Sequence, residues 1–155
     1  MYLKEISELE YKNLDLPILF EDKQTDRVFG IISNDVHIFK FGWQSTIVKP
    51  VIKKVSQKNY AIGIDQKFIL IDLNLVKVRL KLDLLYFFYD MIVYDDLIIV
   101  ITELEILIVS LKSFNLLTTI SLPEIYEKME INGQNIRFIC VDGNDIDFDI
   151  NEIKD

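Results

Sequence analysis

The sequence predicts a mainly β fold, and three observations predict it. Apolar and polar residues alternate with a period of two along most of the chain, short turn signals interrupt that alternation, and one pattern of strands recurs at an offset of 38 residues. At 155 residues, half of them apolar, the chain reads as a single domain (residues 1–155) able to bury a core without disulfides or metal. Its 10 Phe and 7 Tyr predict an aromatic-rich core, whereas 5 Gly and 3 Pro weigh against disorder and against glycine-rich phosphate loops.

Residues 1–27 are an ambiguous N-terminal segment. Leu3, Ile6 and Leu9 have helical spacing, and Tyr2, Ile6 and Tyr11 read no better as a strand. From residue 28 to 155 the chain reads as repeated β units. Val36, Ile38 and Lys40 alternate with His37, Phe39 and Phe41 after the turn signal Ser33-Asn34-Asp35. Val76, Val78, Leu80 and Leu82 alternate with Lys77, Arg79, Lys81 and Asp83, an apolar and a charged face on one half-buried strand. Asp65-Gln66 and Tyr94-Asp95-Asp96 mark further turns. Ser121-Leu122-Pro123-Glu124 has the spacing of a capping box, with Pro123 suited to a first helical position, so one short helix is expected near 123–130. Asn132-Gly133 is a strong hairpin signal, because both central positions of a type I′ turn need positive φ. Phe138 and Cys140, then Asp142-Gly143-Asn144 and the alternating run Asp145 to Ile150, complete roughly nine or ten strands.

The repeat is explicit. Lys67-Phe68-Ile69-Leu70-Ile71-Asp72-Leu73 matches Glu105-Ile106-Leu107-Ile108-Val109-Ser110-Leu111, and Ala61 to Asp65 fall on Ile99 to Glu103. Downstream, Val76, Val78, Leu80, Leu82 and Leu84 fall on Phe114, Leu116, Thr118, Ile120 and Leu122. A looser copy begins at Ile136, and another precedes them from Phe29 to Phe41. A period near 40 residues holding several short strands resembles a β-propeller blade. The resemblance covers residues 28 to 155, without the Trp-Asp or Gly-His signatures of the common blade families. It implies an open, propeller-like stack of antiparallel hairpin units, with a twisted β-sandwich as the other arrangement that suits the length.

Charge is unevenly placed. Residues 1–85 hold 11 acids and 13 bases, net +2, while residues 86–155 hold 14 acids and 4 bases, net −10. A phosphate backbone would be repelled by the second half, so nucleic acid is not expected as a partner and a basic protein is. The apolar stretch from Leu84 to Leu111 carries five carboxylates, which argues against a membrane span. The start runs directly into charged residues without an apolar leader, so a cytoplasmic location is expected.

Candidate chemistry is sparse. The lone His37 lies in phase with Phe39 and Phe41, and the lone Cys140 alternates with Phe138, so both read as packing residues in place of a Cys-His nucleophilic pair. With one His and one Cys, no common zinc site assembles within the chain, and no catalytic residue, cofactor or metal is assigned. Asp142-Gly143-Asn144-Asp145 is not an EF-hand loop, since its glycine is misplaced and no closing Glu follows. Asp95-Asp96 and Glu103/Glu105 are the pairs a carboxylate-dependent hydrolase would use, although turn chemistry accounts for the first. Lys49, Lys53, Lys54 and Lys58 form the one basic cluster, interleaved with apolar residues as on a charged strand or loop.

The acidic ladder Asp145, Asp147 and Asp149, with Asp142 ahead of it, is the most distinctive local feature. Its carboxylates project from one strand face and suit either a solvated edge that resists aggregation or a docking surface for basic residues. Tyr86, Tyr89, Tyr94 and Tyr126 are the candidate aromatic anchors beside it. In size, charge and absence of catalytic motifs the chain resembles small acidic bacterial immunity proteins, which neutralise toxins by covering them. That resemblance implies a non-enzymatic binding module whose partner is basic. A structural scaffold built from β repeats is the alternative, followed by the small hydrolase.

Overall fold

The computed structural model describes residues 2–34 and 36–153; Asp35, part of an expected turn, lies outside them. The chain is mainly β, the described residues forming four antiparallel sheets with one α-helix and a short 3-10 turn. The first sheet holds β1 (Tyr2–Ile6), β2 (Val28–Ser33) and β3 (Ile38–Trp43), with α1 (Glu8–Asn13) between β1 and β2. Next come β4 (Val51–Lys54), β5 (Asn59–Ile64), β6 (Lys67–Asp72) and β7 (Lys77–Asp83). The third sheet contains β8 (Phe88–Tyr94), β9 (Leu97–Thr102), β10 (Glu105–Ser110) and β11 (Leu116–Ser121). The fourth contains β12 (Tyr126–Asn132), β13 (Asn135–Cys140) and β14 (Asp145–Asp149), followed by the 3-10 turn Ile150–Glu152. Each sheet is a meander of consecutive strands, as in a propeller blade. The described residues thus hold 14 strands against the expected nine or ten; among the additional ones β1 lies in the ambiguous segment, β4 in the lysine cluster and β12 where a helix was expected.

The chain divides into two compact units, Met1–Asp65 with Ile69–Lys81, and Gln66–Phe68 with Leu82–Asp155. In the first, Phe20, Ile32, Phe39, Phe41, Trp43, Ile62, Ile64, Ile69 and Ile71 form a core, with Phe41 and Trp43 stacked at 5.2 Å between ring centroids. In the second, Ile99, Ile101, Ile106 and Ile108 of β9 and β10 pack against Ile136, Phe138 and Cys140 of β13. Full burial of each such side chain contributes about 1.5–3 kcal/mol.

The 38-residue repeat extends to individual hydrogen bonds. β6 and β10 share the burial pattern of one half-buried residue followed by five buried ones. Leu73 N–H donates to the Lys58 carbonyl and Leu111 N–H to that of Asp96, while Leu84 N–H donates to Gln66 and Leu122 N–H to Leu104. The turn after each central strand is built alike. Asp72 Oδ1 accepts from the backbone of Asn74 and Leu75, and Ser110 Oγ accepts from Lys112 and Ser113. Four residues on, Val76 and Phe114 both adopt positive φ, 52° and 58°, a costly conformation for a side chain with a Cβ and most of all for a β-branched one.

The helix stands at Glu8–Asn13, and residues 126–132 are strand β12 where a helix over 123–130 was expected. Ser7 and Glu10 make the reciprocal capping box, Ser7 Oγ accepting from Glu10 N–H and Glu10 Oε2 accepting from Ser7 N–H at 2.8 Å. At the other copy of that string, Glu124 Oε1 accepts from its own neighbour Ile125 N–H instead. The competing pull there is the hairpin: Met129 pairs with Phe138 and Asn132 with Asn135 across the turn Gly133-Gln134, which places Tyr126 and Met129 against the second core. The turn thus sits one residue beyond the expected central pair Asn132-Gly133, and of these residues Gly133 alone has positive φ, 61°. The carbonyls at the end of α1 are satisfied by a buried lysine of β3. Lys40 Nζ donates to the Tyr11 carbonyl at 2.9 Å and the Leu14 carbonyl at 2.6 Å, and lies 4.7 Å from the Tyr11 ring centroid.

Candidate functional site

Within the second unit, hydrogen bonds gather the inter-sheet linkers and one set of hairpin turns at the same end. Glu103 N–H donates to the Phe87 carbonyl, Tyr126 N–H to the Glu103 carbonyl and Val141 N–H to the Ile125 carbonyl, at 3.2, 2.8 and 2.9 Å. The side chains carried by these segments are apolar and exposed: Leu85 at 72%, Phe87 at 50%, Ile125 at 39% and Val141 at 57%. Three of the four are adjacent in the chain or across a hydrogen bond to a carboxylate, Phe87 to Glu103, Ile125 to Glu124 and Val141 to Asp142. Apolar groups with acidic neighbours are the composition of a protein-docking surface, where the apolar part supplies affinity and the charge supplies steering.

Three of the four expected tyrosines belong to this end. Tyr86 is half-buried in the linker between β7 and β8. Tyr89 is exposed and hydrogen-bonds with Glu103; burial, together with the Glu103 charge, raises its hydroxyl above the ordinary tyrosine range. Tyr126 packs partly into the second core, and burial together with the charge of Asp90 raises its hydroxyl as well. Tyr94 stands at the opposite end of β8, where its hydroxyl donates to the Gly133 carbonyl at 2.8 Å and ties β8 to the β12–β13 turn.

The acidic ladder has the alternation expected of it. Ile146 and Phe148 face the second core, and Asp145, Asp147 and Asp149 share the other face of β14. Two of the three also work within the fold. Asp145 pairs with Arg137, raising the guanidinium further, and Asp149 caps the 3-10 turn by accepting from Asn151 N–H at 2.8 Å. Asp147, opposite Arg137 in the register, is exposed. Asp142 Oδ1 accepts from Asn144 N–H at 3.0 Å and so also shapes its turn. Cys140 is fully buried, and His37 is half-buried in the β2–β3 turn, its N–H donating to Asn34 Oδ1. Of the basic cluster, Lys53 and Lys54 lie on β4 and Lys49 pairs with Glu5. Among the described residues no group of three His, Cys, Asp or Glu is arranged for a metal ion.

A cleft of 470 Å³ in the first unit has no counterpart in the sequence reading. Tyr11, Phe29, Glu21, Asp26 and Lys40 line it with Glu8, Lys12, Ile18 and Lys23. Tyr11 and Phe29 rings lie 4.7 Å apart, and the Tyr11 hydroxyl donates to Glu21 Oε2 at 2.6 Å. Burial pushes the Asp26 carboxyl up to about 6; the Asp22 N–H opposes this, while the charges of Asp22, Glu21 and Asp65 add to it. These residues come from α1, the segment running from 18 into β2, and β3, so no local motif announces the cleft; Asp22-x-x-x-Asp26, a hydrogen-bonded turn, is the one short-range trace.

No family model matches the chain, and no curated protein matches it. Among solved structures it is similar to BamB from Moraxella catarrhalis, with a TM-score of 0.49 and 16% identity over 96% of this chain. The chain spans about half the length of that protein, 49% of it. At this level of likeness nothing follows for what the surface meets.

Proposed function

We propose that the chain is a non-enzymatic protein-binding module that docks a basic partner, in the manner of an immunity-type inhibitor. The observation that carries this reading is the cluster of Leu85, Phe87, Ile125 and Val141, exposed at one end of the second unit and bordered by Glu103, Glu124 and Asp142. The net −10 of residues 86–155 supports it by adding long-range attraction for a cationic surface. Affinity capture from the native host, with quantitative mass spectrometry, tests it by comparing the chain with Phe87→Ser and Asp142→Lys. The reading expects one basic protein retained by the parent chain and depleted several-fold on both variants, with association slowing as salt rises. Equal capture by all three, or association indifferent to salt, overturns it.

A second reading, the carboxylate-dependent hydrolase, draws support from the cleft, where burial and neighbouring charges, Glu21 among them, push the Asp26 carboxyl up to about 6. Turnover of a chromogenic ester and glycoside panel that vanishes in Glu21→Gln would favour it over docking.

A further inference from the structure

In the repeat, the strand after each mid-sheet hairpin is β6, β10 and β14. β6 is flanked by β5 and β7, and β10 by β9 and β11, whereas β14 has β13 alone beside it among the described residues. The phase of the β13–β14 ladder fixes which backbone groups this leaves open. Cys140 N–H donates to the Asn144 carbonyl and Ile150 N–H to the Gln134 carbonyl, and the register between them pairs Phe138 with Ile146 and Ile136 with Phe148. Hydrogen-bonded pairs alternate along an antiparallel ladder. Ile146 and Phe148 therefore direct their N–H and C=O groups to β13, while Asp145, Asp147 and Asp149 direct theirs to the open edge.

The first copy of the repeat shows what chemistry covers such an edge. β7, which lies on β6, reads Lys77-Val78-Arg79-Leu80-Lys81-Leu82, and Arg79 pairs with Asp72 of β6 at 2.8 Å. Residues opposite one another on paired strands share a face. A strand added to β14 thus sets alternate residues beside Asp145, Asp147 and Asp149 and the others beside Ile146 and Phe148. We propose that the open edge of β14 is completed by an extended segment of a partner protein in which Lys or Arg alternates with apolar residues. This rests on the basic-partner reading and names the form that partner takes. Pairing β14 with the β14 of a second copy does not suit the edge, because it brings carboxylates against carboxylates.

The probe is a capped synthetic peptide with the sequence of residues 77–83, titrated onto the full chain by fluorescence anisotropy and by NMR amide exchange. Expected are at least tenfold slower exchange at Asp145, Asp147 and Asp149 and several-fold weaker binding at high salt. Asp147→Pro removes one outward donor while leaving the β13 pairings, and is expected to weaken binding at least tenfold with an unchanged circular dichroism spectrum. Should that variant fail to fold, Asp147→Lys keeps the donor and is expected to bind several-fold more weakly. Unchanged exchange at the three aspartates, or variants that bind like the parent, overturns the proposal. So does a dimer in sedimentation whose β14 amides are protected without peptide. Phe87→Ser is expected to bind the peptide normally, so loss of edge binding alongside Phe87-dependent capture of a basic protein removes the edge and leaves the docking reading in place.

Discussion

Asp26→Asn should stabilise the chain at neutral pH and do little at pH 4. Burial, with the charges of Asp22, Glu21 and Asp65, raises the Asp26 carboxyl from 3.8 to about 6. The folded chain therefore holds this proton more tightly than the unfolded one. Ionisation of Asp26 erodes stability as pH rises from about 4 to about 6, and the loss is complete above that window. Two pH units correspond to about 3 kcal/mol, and solvent access to a half-buried carboxyl reduces this to about 1–2 kcal/mol. Asparagine keeps an acceptor for Asp22 N–H, which now donates to Asp26 Oδ2 at 2.7 Å, and removes the charge. Urea unfolding of both chains at pH 4 to 8 reads the effect, because other carboxylates cancel in the difference. The gap is expected to widen by about 1–2 kcal/mol in favour of the variant. A gap that stays constant with pH, or that favours the parent at pH 8, refutes the reasoning.

Two further outcomes follow from backbone chemistry. Ser7→Ala removes the Ser7 Oγ half of the capping box, leaving Ser7 N–H to donate to Glu10 Oε2, and should cost about 1 kcal/mol in thermal or urea unfolding, since α1 is short and its first N–H groups have no helical partner. Val76→Gly relieves a β-branched residue held at φ 52° and should raise stability by about 0.5–1 kcal/mol, measured the same way; a loss would mean that the exposed Val76 side chain packs better than its 41% exposure indicates.

The repeat was legible because both strand faces of β6 and β10 are buried, so their runs of Ile, Leu and Val leave an uninterrupted hydrophobic signal on either side of short turns. The acidic ladder was legible for the converse reason, one face wet and one dry. The helix was not, because Ser7-x-x-Glu10 and Ser121-x-x-Glu124 are the same string locally. What separates them is a strand partner: residues 126–132 face β13 across a two-residue turn, and α1 has a buried lysine instead. Lys40 itself reads as a solvent-facing strand position, yet its ammonium is held by the C-terminal end of a helix some thirty residues upstream. The apolar end of the second unit was half legible. Three of its tyrosines were singled out, but Leu85, Phe87, Ile125 and Val141 look like core residues until the hydrogen bonds of the linkers turn them outward.

Building every sheet from consecutive strands also bears on how quickly the molecule acquires its structure. Strand partners in the ladders lie a few to some thirty residues apart, as for Tyr94 with Leu97 and Tyr2 with Ser33, so little loop entropy is spent before a pairing is rewarded. Such a chain should fold faster than Greek-key β proteins of its size, hairpin by hairpin, with the tight β8–β9 and β9–β10 turns as natural starting points. Native-state exchange should reveal the same order in reverse, the β14 edge opening at low cost and the β9–β10 pair only with global unfolding.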